Sequence, residues 1–185
     1  MSVRKPSHWP PGVEFTPCLR YHSSITPTTM SHIKGTSTCS AKTRPSYPVI
    51  IQQIHSACHP AQGQYGLFAA KKITPRTHIL DYTGEIHCDD RPDSDYDLSL
   101  YRSGDGINVG IDASATGNEA RFINDFRGIR ARPNAIFVDG RDEFGELRMS
   151  IWSTEVIKKG EEILVSYGKS WWRERLANGT DIHRS

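Results

Sequence analysis

The apolar residues of this chain come in short runs, each closed by glycine, proline or a polar turn, and this constrains the fold more than any other feature. "YPVIIQQIH", "GLFAAKKI", "THILDYTGEIH", "GINVGIDA" and "ILVSY" have the length and β-branched content of strands, and "NAIFVDGRDEFGELRMSIWS" reads as a hairpin turning in "DGRDEFGE". Only "SWWRERLAN" carries a helical pattern, stopped by Asn178-Gly179. Strands without alternating helices argue against a doubly wound parallel sheet. They predict a mainly β, β-rich α+β fold of small sheets. The 185 residues suit one domain with a tail.

The organisation expected from this pattern has three parts. Residues 1–46 are rich in Pro, Ser and Thr, carry six basic residues against the single acid Glu14, and hold no apolar period. They are expected to be a flexible, dispensable basic segment, with Trp9, Val13 and Phe15 as a docking exception. Residues 47–172 form the folded domain and 173–185 a C-terminal helix and tail.

Charge and cysteine usage exclude several classes. The formal net charge of +2 is too weak to predict a nucleic-acid footprint. No apolar run reaches the ~18 residues that span a bilayer, and "MSVRKPSHWPPG" shows no secretory signal, so an intracellular protein is expected, in nucleus or cytoplasm. The four cysteines form no C-x-x-C pair, and His55, Cys58 and His59 in "HSACH" match no common zinc spacing, so no metal is expected. The acids Asp89, Asp90, Asp93, Asp95 and Asp97 lack the glycine and terminal glutamate of a Ca²⁺ loop and read as a solvated loop.

Three tyrosines stand at strand ends or beside turns: Tyr82 in "DYTGE", Tyr96 in "SDYDLSL" and Tyr167 in "ILVSYG". Each alone is an ordinary strand residue. Together they suit an aromatic channel with hydroxyls at its base.

Five segments, in order, resemble the SET domain of protein lysine methyltransferases: "GQYGLFA", "DYTGEI", "GNEARFIND", "RPNA" and "GEEILVSYG". The resemblance implies a SET fold of small curved sheets with a C-terminal pseudoknot, in which "RFIND" threads beside the loop carrying the closing tyrosine. It implies transfer of methyl from S-adenosylmethionine to a lysine side chain of a protein, with histone tails among the substrates. Tyr167 and Tyr82 are then the catalytic candidates. Tyr65, Gly66, Leu67, Tyr96, Arg121, Phe122, Asn124, Asp125, Trp171 and Trp172 are the cofactor-binding candidates, while Tyr82, Tyr96, Phe137 and Val165 line the lysine channel. Two departures stand out. Asp125 replaces the family's histidine, and "FRGIRARPN" enlarges the loop before Pro133-Asn134. Asp125 leaves open a SET-fold scaffold without transfer, and "RGIRAR" leaves open a metal module that binds nucleic acid.

Overall fold

A computed structural model describes residues 5–35, 46–104 and 106–168. In chain order they form β1 (Glu14–Phe15), β2 (Arg20–Tyr21), α1 (Pro27–Lys34), β3 (Val49–Gln53), β4 (Tyr65–Ala69), β5 (His78–Tyr82), β6 (Glu85–His87), β7 (Asp97–Arg102) and β8 (Asn108–Asp112). Then come β9 (Thr116–Gly117), a 3₁₀ turn (Glu119–Phe122), β10 (Asn124–Asp125), β11 (Ala135–Arg141), β12 (Leu147–Ser153) and β13 (Leu164–Val165). The β-rich expectation holds. No helix among the described residues is long and apolar enough to cross a membrane. The helix expected over "SWWRERLAN" lies outside the described residues, as do Trp171 and Trp172.

The residues divide into two compact units. The first comprises the described residues of Met1–Tyr47, His78–Arg121 and Phe137–Trp152. Its sheets run β2-β6-β8-β7 and β11-β12-β5, and β1 lies parallel to β9. Ile33, Ile79, Leu80, Ile86, Val109, Ile111 and Ile151 form its buried centre. The second comprises Pro48–Thr77, Phe122–Ile136 and the described part of Ser153–Ser185. Here β3 and β4 pair antiparallel, with buried Ile51 opposite buried Leu67, and β10 runs parallel to β13.

The amino-terminal segment corrects the flexible reading over residues 5–35. Its two strands are only two residues long, too short for a sequence period, yet they add to sheet edges through the backbone: Thr16 N–H donates to Gly117 O at 2.8 Å, and Arg20 N–H to Gly84 O at 2.9 Å. Trp9 and Phe15 meet edge to face at 5.1 Å. α1 had legible caps. Thr26 Oγ1 accepts from Thr29 N–H, Pro27 occupies the first turn, and Gly35 ends the helix at φ 63°. Its only fully buried apolar side chain is Ile33, so no stripe marked it.

The acidic run is likewise not all solvated loop. Asp97 begins β7 and its carboxylate lies 2.9 Å from Nε2 of buried His87. Asp112, also buried, accepts from Ser94 Oγ, Ser114 N–H, Ser114 Oγ and Arg91 Nη1 at 2.8–3.0 Å. Burial opposes its ionisation, but these hydrogen bonds outweigh it and hold the carboxyl below the ordinary aspartate range.

Two outcomes follow for stability. Ile33→Ala should cost about 2–4 kcal/mol in urea unfolding, because it empties a closed site; a neutral result would return residues 5–35 to the status of an appendage. A carboxyl with a depressed folded-state pKa stabilises above its unfolded value, about 3.9, and loses that contribution as pH falls through the folded value. Asp112→Asn should therefore destabilise the protein at pH 7, and the gap from wild type should narrow in melts below about pH 4.

Candidate functional site

In the second unit, segment 122–126 runs beside the closing strand. Phe126 N–H donates to Val165 O at 3.0 Å, continuing the pairing of Asn124 with Leu164 and Asp125 with Val165. Two paired residues are a weak ladder, and side chains reinforce it. Asn134, 1% exposed, donates from Nδ2 to Glu162 O and accepts from Leu164 N–H at Oδ1, both at 2.8 Å. Its backbone N–H donates to Leu164 O and its carbonyl accepts from Thr154 N–H. It was quoted in "RPNA" but not singled out. The signal available was an asparagine before an apolar strand, with a side chain that offers a donor and an acceptor at once.

Asp125 is the second brace. Its Oδ2 accepts from Tyr167 N–H at 2.8 Å and from Arg127 Nη1 at 2.7 Å, while Oδ1 accepts from Arg127 N–H at 2.9 Å. The Tyr167 hydroxyl donates to Ile123 O at 2.6 Å. Segment 123–125 thus holds Tyr167 by its backbone and by its hydroxyl. With the hydroxyl proton directed to a carbonyl, the phenolic oxygen can act as an acceptor toward an amine.

Asn124 sits in a different network. Its Nδ2 donates to Glu162 Oε1 at 2.8 Å and to Tyr65 O at 3.3 Å. Both partners are acceptors, so the amide orientation is dictated and its carbonyl oxygen is the end left for a ligand. Tyr65 and Phe122 form an edge-to-face pair at 5.9 Å. Glu162 occupies the space beside Gly66: a Cβ there would lie 2.6 Å from Glu162 Oε1. Leu67 and Val165 are wholly buried. His59, weighed above as a metal ligand, lies 2.9 Å from Glu162 Oε2.

The enlarged loop is not an uncompensated basic patch. Arg127 pairs with Asp125, while Arg130 and Arg132 both reach Glu155, at 2.6 and 2.8 Å. Three arginines thus meet two acids, which leaves the loop an excess of one positive charge.

In the first unit, Tyr82 is buried and donates its hydroxyl to Tyr96 O at 2.7 Å. Its ring meets Phe137 edge to face at 6.1 Å. Arg121 lies over the Tyr96 ring at 4.2 Å and donates to Ala113 O at 2.9 Å. The structure thus groups Tyr82, Tyr96, Arg121 and Phe137 in one unit. Tyr65, Gly66, Leu67, Phe122, Asn124, Asp125, Val165 and Tyr167 belong to the other.

Residues 64–168 match the family model described as "SET domain". The chain is 31% identical over 111 residues to the Homo sapiens histone-lysine N-methyltransferase EHMT1, covering 58% of this chain and 8% of that relative. It therefore spans less than a tenth of that curated relative's length. A crystal structure of ATXR5 in complex with histone H3.1 superposes with a TM-score of 0.61 at 19% identity, over 84% of this chain and 81% of that one. Polycomb Repressive Complex 2 of Chaetomium thermophilum bound to S-adenosylmethionine gives 0.54 at 24% identity, over 73% and 17%. At these identities the two structures speak for the fold.

Asn134→Ala should destabilise the protein by about 2–4 kcal/mol, since it strips partners from Leu164 N–H and Glu162 O together. Asp125→Ala should cost less in urea unfolding, about 1–3 kcal/mol, because water can reach the end of the strand at Tyr167. Equal, negligible losses for both variants would show that the two-residue ladder holds itself.

Proposed function

The chain belongs to the SET-domain family, and from that premise we propose that it is a protein-lysine N-methyltransferase using S-adenosylmethionine. Relatives named as histone-lysine N-methyltransferases make a histone lysine the proposed substrate and the nucleus the proposed site of action. The observation that carries the reading is the two-point hold on Tyr167, through Asp125 to its N–H and Ile123 to its hydroxyl.

When bound, S-adenosylmethionine supplies an electrophilic methyl on a sulfonium. The residues present fit such a group. Asn124 presents a carbonyl acceptor suited to a cationic amine, and the Glu162 carboxylate beside it adds negative charge. Tyr65 and Phe122 offer aromatic surface nearby, Phe122 itself being buried. The Asp125 side chain is committed to Arg127 and Tyr167, and Asp125 is proposed to meet the cofactor through its backbone. Gly66 is proposed to serve by admitting Glu162.

A lysine amine has a pKa near 10.4 and is charged at neutral pH, so it must lose a proton before it can attack. Apolar aromatic surroundings favour the neutral amine, because desolvation penalises the charge. Tyr82, Tyr96 and Phe137 are proposed for that lining, with Tyr82 held by its bond to Tyr96 O. Tyr167 is proposed to orient the amine by accepting from it. Its work is positional and electrostatic, and it needs no change in its own protonation.

Tyr167→Phe removes one oxygen and keeps the ring. Single-turnover transfer of radiolabelled methyl to histones should fall about a hundredfold or more, while cofactor affinity on the same protein changes little. Near-normal transfer would remove Tyr167 from the mechanism. Wild-type protein that labels no histone, and no protein of a mixed extract, would overturn the transferase reading.

A further inference from the structure

His59 lies before the segment matched to the family, in the "HSACH" stretch that the proposed function leaves unused. It is nonetheless built into the second unit. Its side chain is 10% exposed and faces Glu162, whose side chain is 9% exposed. His59 Nδ1 accepts from Ala61 N–H at 3.0 Å, so the ring carries its proton on Nε2 and donates to Glu162 Oε2 at 2.9 Å. Glu162 Oε1 accepts from Asn124 Nδ2 at 2.8 Å, in space that Gly66 leaves by lacking a Cβ.

This relay has one direction. His59 donates, Glu162 accepts at both oxygens, and Asn124 donates. We infer that His59 is a positioning residue: acting through Glu162, it fixes the amide of Asn124 with its carbonyl toward the ligand and so selects for the amino-acid end of an adenosyl cofactor. The inference rests on the cofactor reading above. Without His59, Glu162 keeps a buried oxygen with no donor and is free to turn from Asn124 toward water. The Asn124 amide then loses the shorter of its two acceptors and keeps only the 3.3 Å bond to Tyr65 O, so it is aligned less firmly. A ligand carrying an ammonium loses a directed partner, whereas one lacking it loses nothing at this point.

Two thioethers that differ in the amino-acid portion test this: S-adenosylhomocysteine, which carries it, and 5′-methylthioadenosine, which does not. Titration calorimetry on the full chain should show His59→Ala weakening S-adenosylhomocysteine about tenfold, the loss expected when a hydrogen bond to a charged group is misaligned, with 5′-methylthioadenosine unchanged. His59→Gln, which keeps an N–H donor near the Nε2 position, should restore much of the difference. His59→Leu, which fills the same space without a donor, should show the same selective loss; it carries the test if His59→Ala melts below the assay temperature. Equal weakening of both ligands, or no weakening of either, overturns the relay and leaves the cofactor reading standing. A wild-type chain that binds neither ligand overturns both.

Discussion

Two residues, Leu164 and Val165, carry the arrangement on which the second unit depends. A parallel pair this short contributes few ladder hydrogen bonds, and it pays the ordering entropy of the whole return of the chain. It persists because side chains act as extra backbone. Asn134 supplies one donor and one acceptor from a side chain closed to water, and its own backbone adds two more bonds. Asp125 extends the hold past the strand end to Tyr167. The closing tyrosine is therefore placed by the Asp125 carboxylate and the Ile123 carbonyl of the segment beside it.

The same economy explains why aspartate is accommodated at position 125. Its carboxylate takes three hydrogen bonds with the chain folded back over Arg127, and the guanidinium balances the charge. An enlarged, arginine-bearing loop and an acid at the position before it are thus one feature. Arg130 and Arg132 share the single carboxylate of Glu155. In the first unit, Asp112, Arg91, Ser94 and Ser114 play the corresponding part, tying the acid-rich connection to β8. Polar side chains thus do in each unit what longer strands do elsewhere.

Much of this was legible in the sequence, and the failures have definite causes. Strands such as His78–Tyr82 and Asn108–Asp112 were visible because burial imprints apolar character on most of their residues. Glu14–Phe15 and Arg20–Tyr21 were not, because an edge strand of two residues is specified by backbone groups that every residue owns. β7 was hidden because it begins with Asp97, whose carboxylate meets buried His87, a pairing ten residues apart that no local pattern encodes. His59 was weighed as a metal ligand because its neighbours in sequence are Cys58 and His55. Its partner in space, Glu162, is 103 residues away.

By itself the sequence determined the class and the family. Run length sets β structure, and five ordered motifs carry the SET resemblance, because motif residues meet local demands of turn, strand and hydrogen-bonding type that survive in one dimension. Only the tertiary structure decided the roles within those motifs. Gly66 makes room for Glu162, Asp125 braces a backbone N–H, and Asn124 is left with one acceptor to offer. Those roles depend on which donor meets which acceptor across 38 to 103 residues of chain, and hydrogen-bond direction is a property of that meeting.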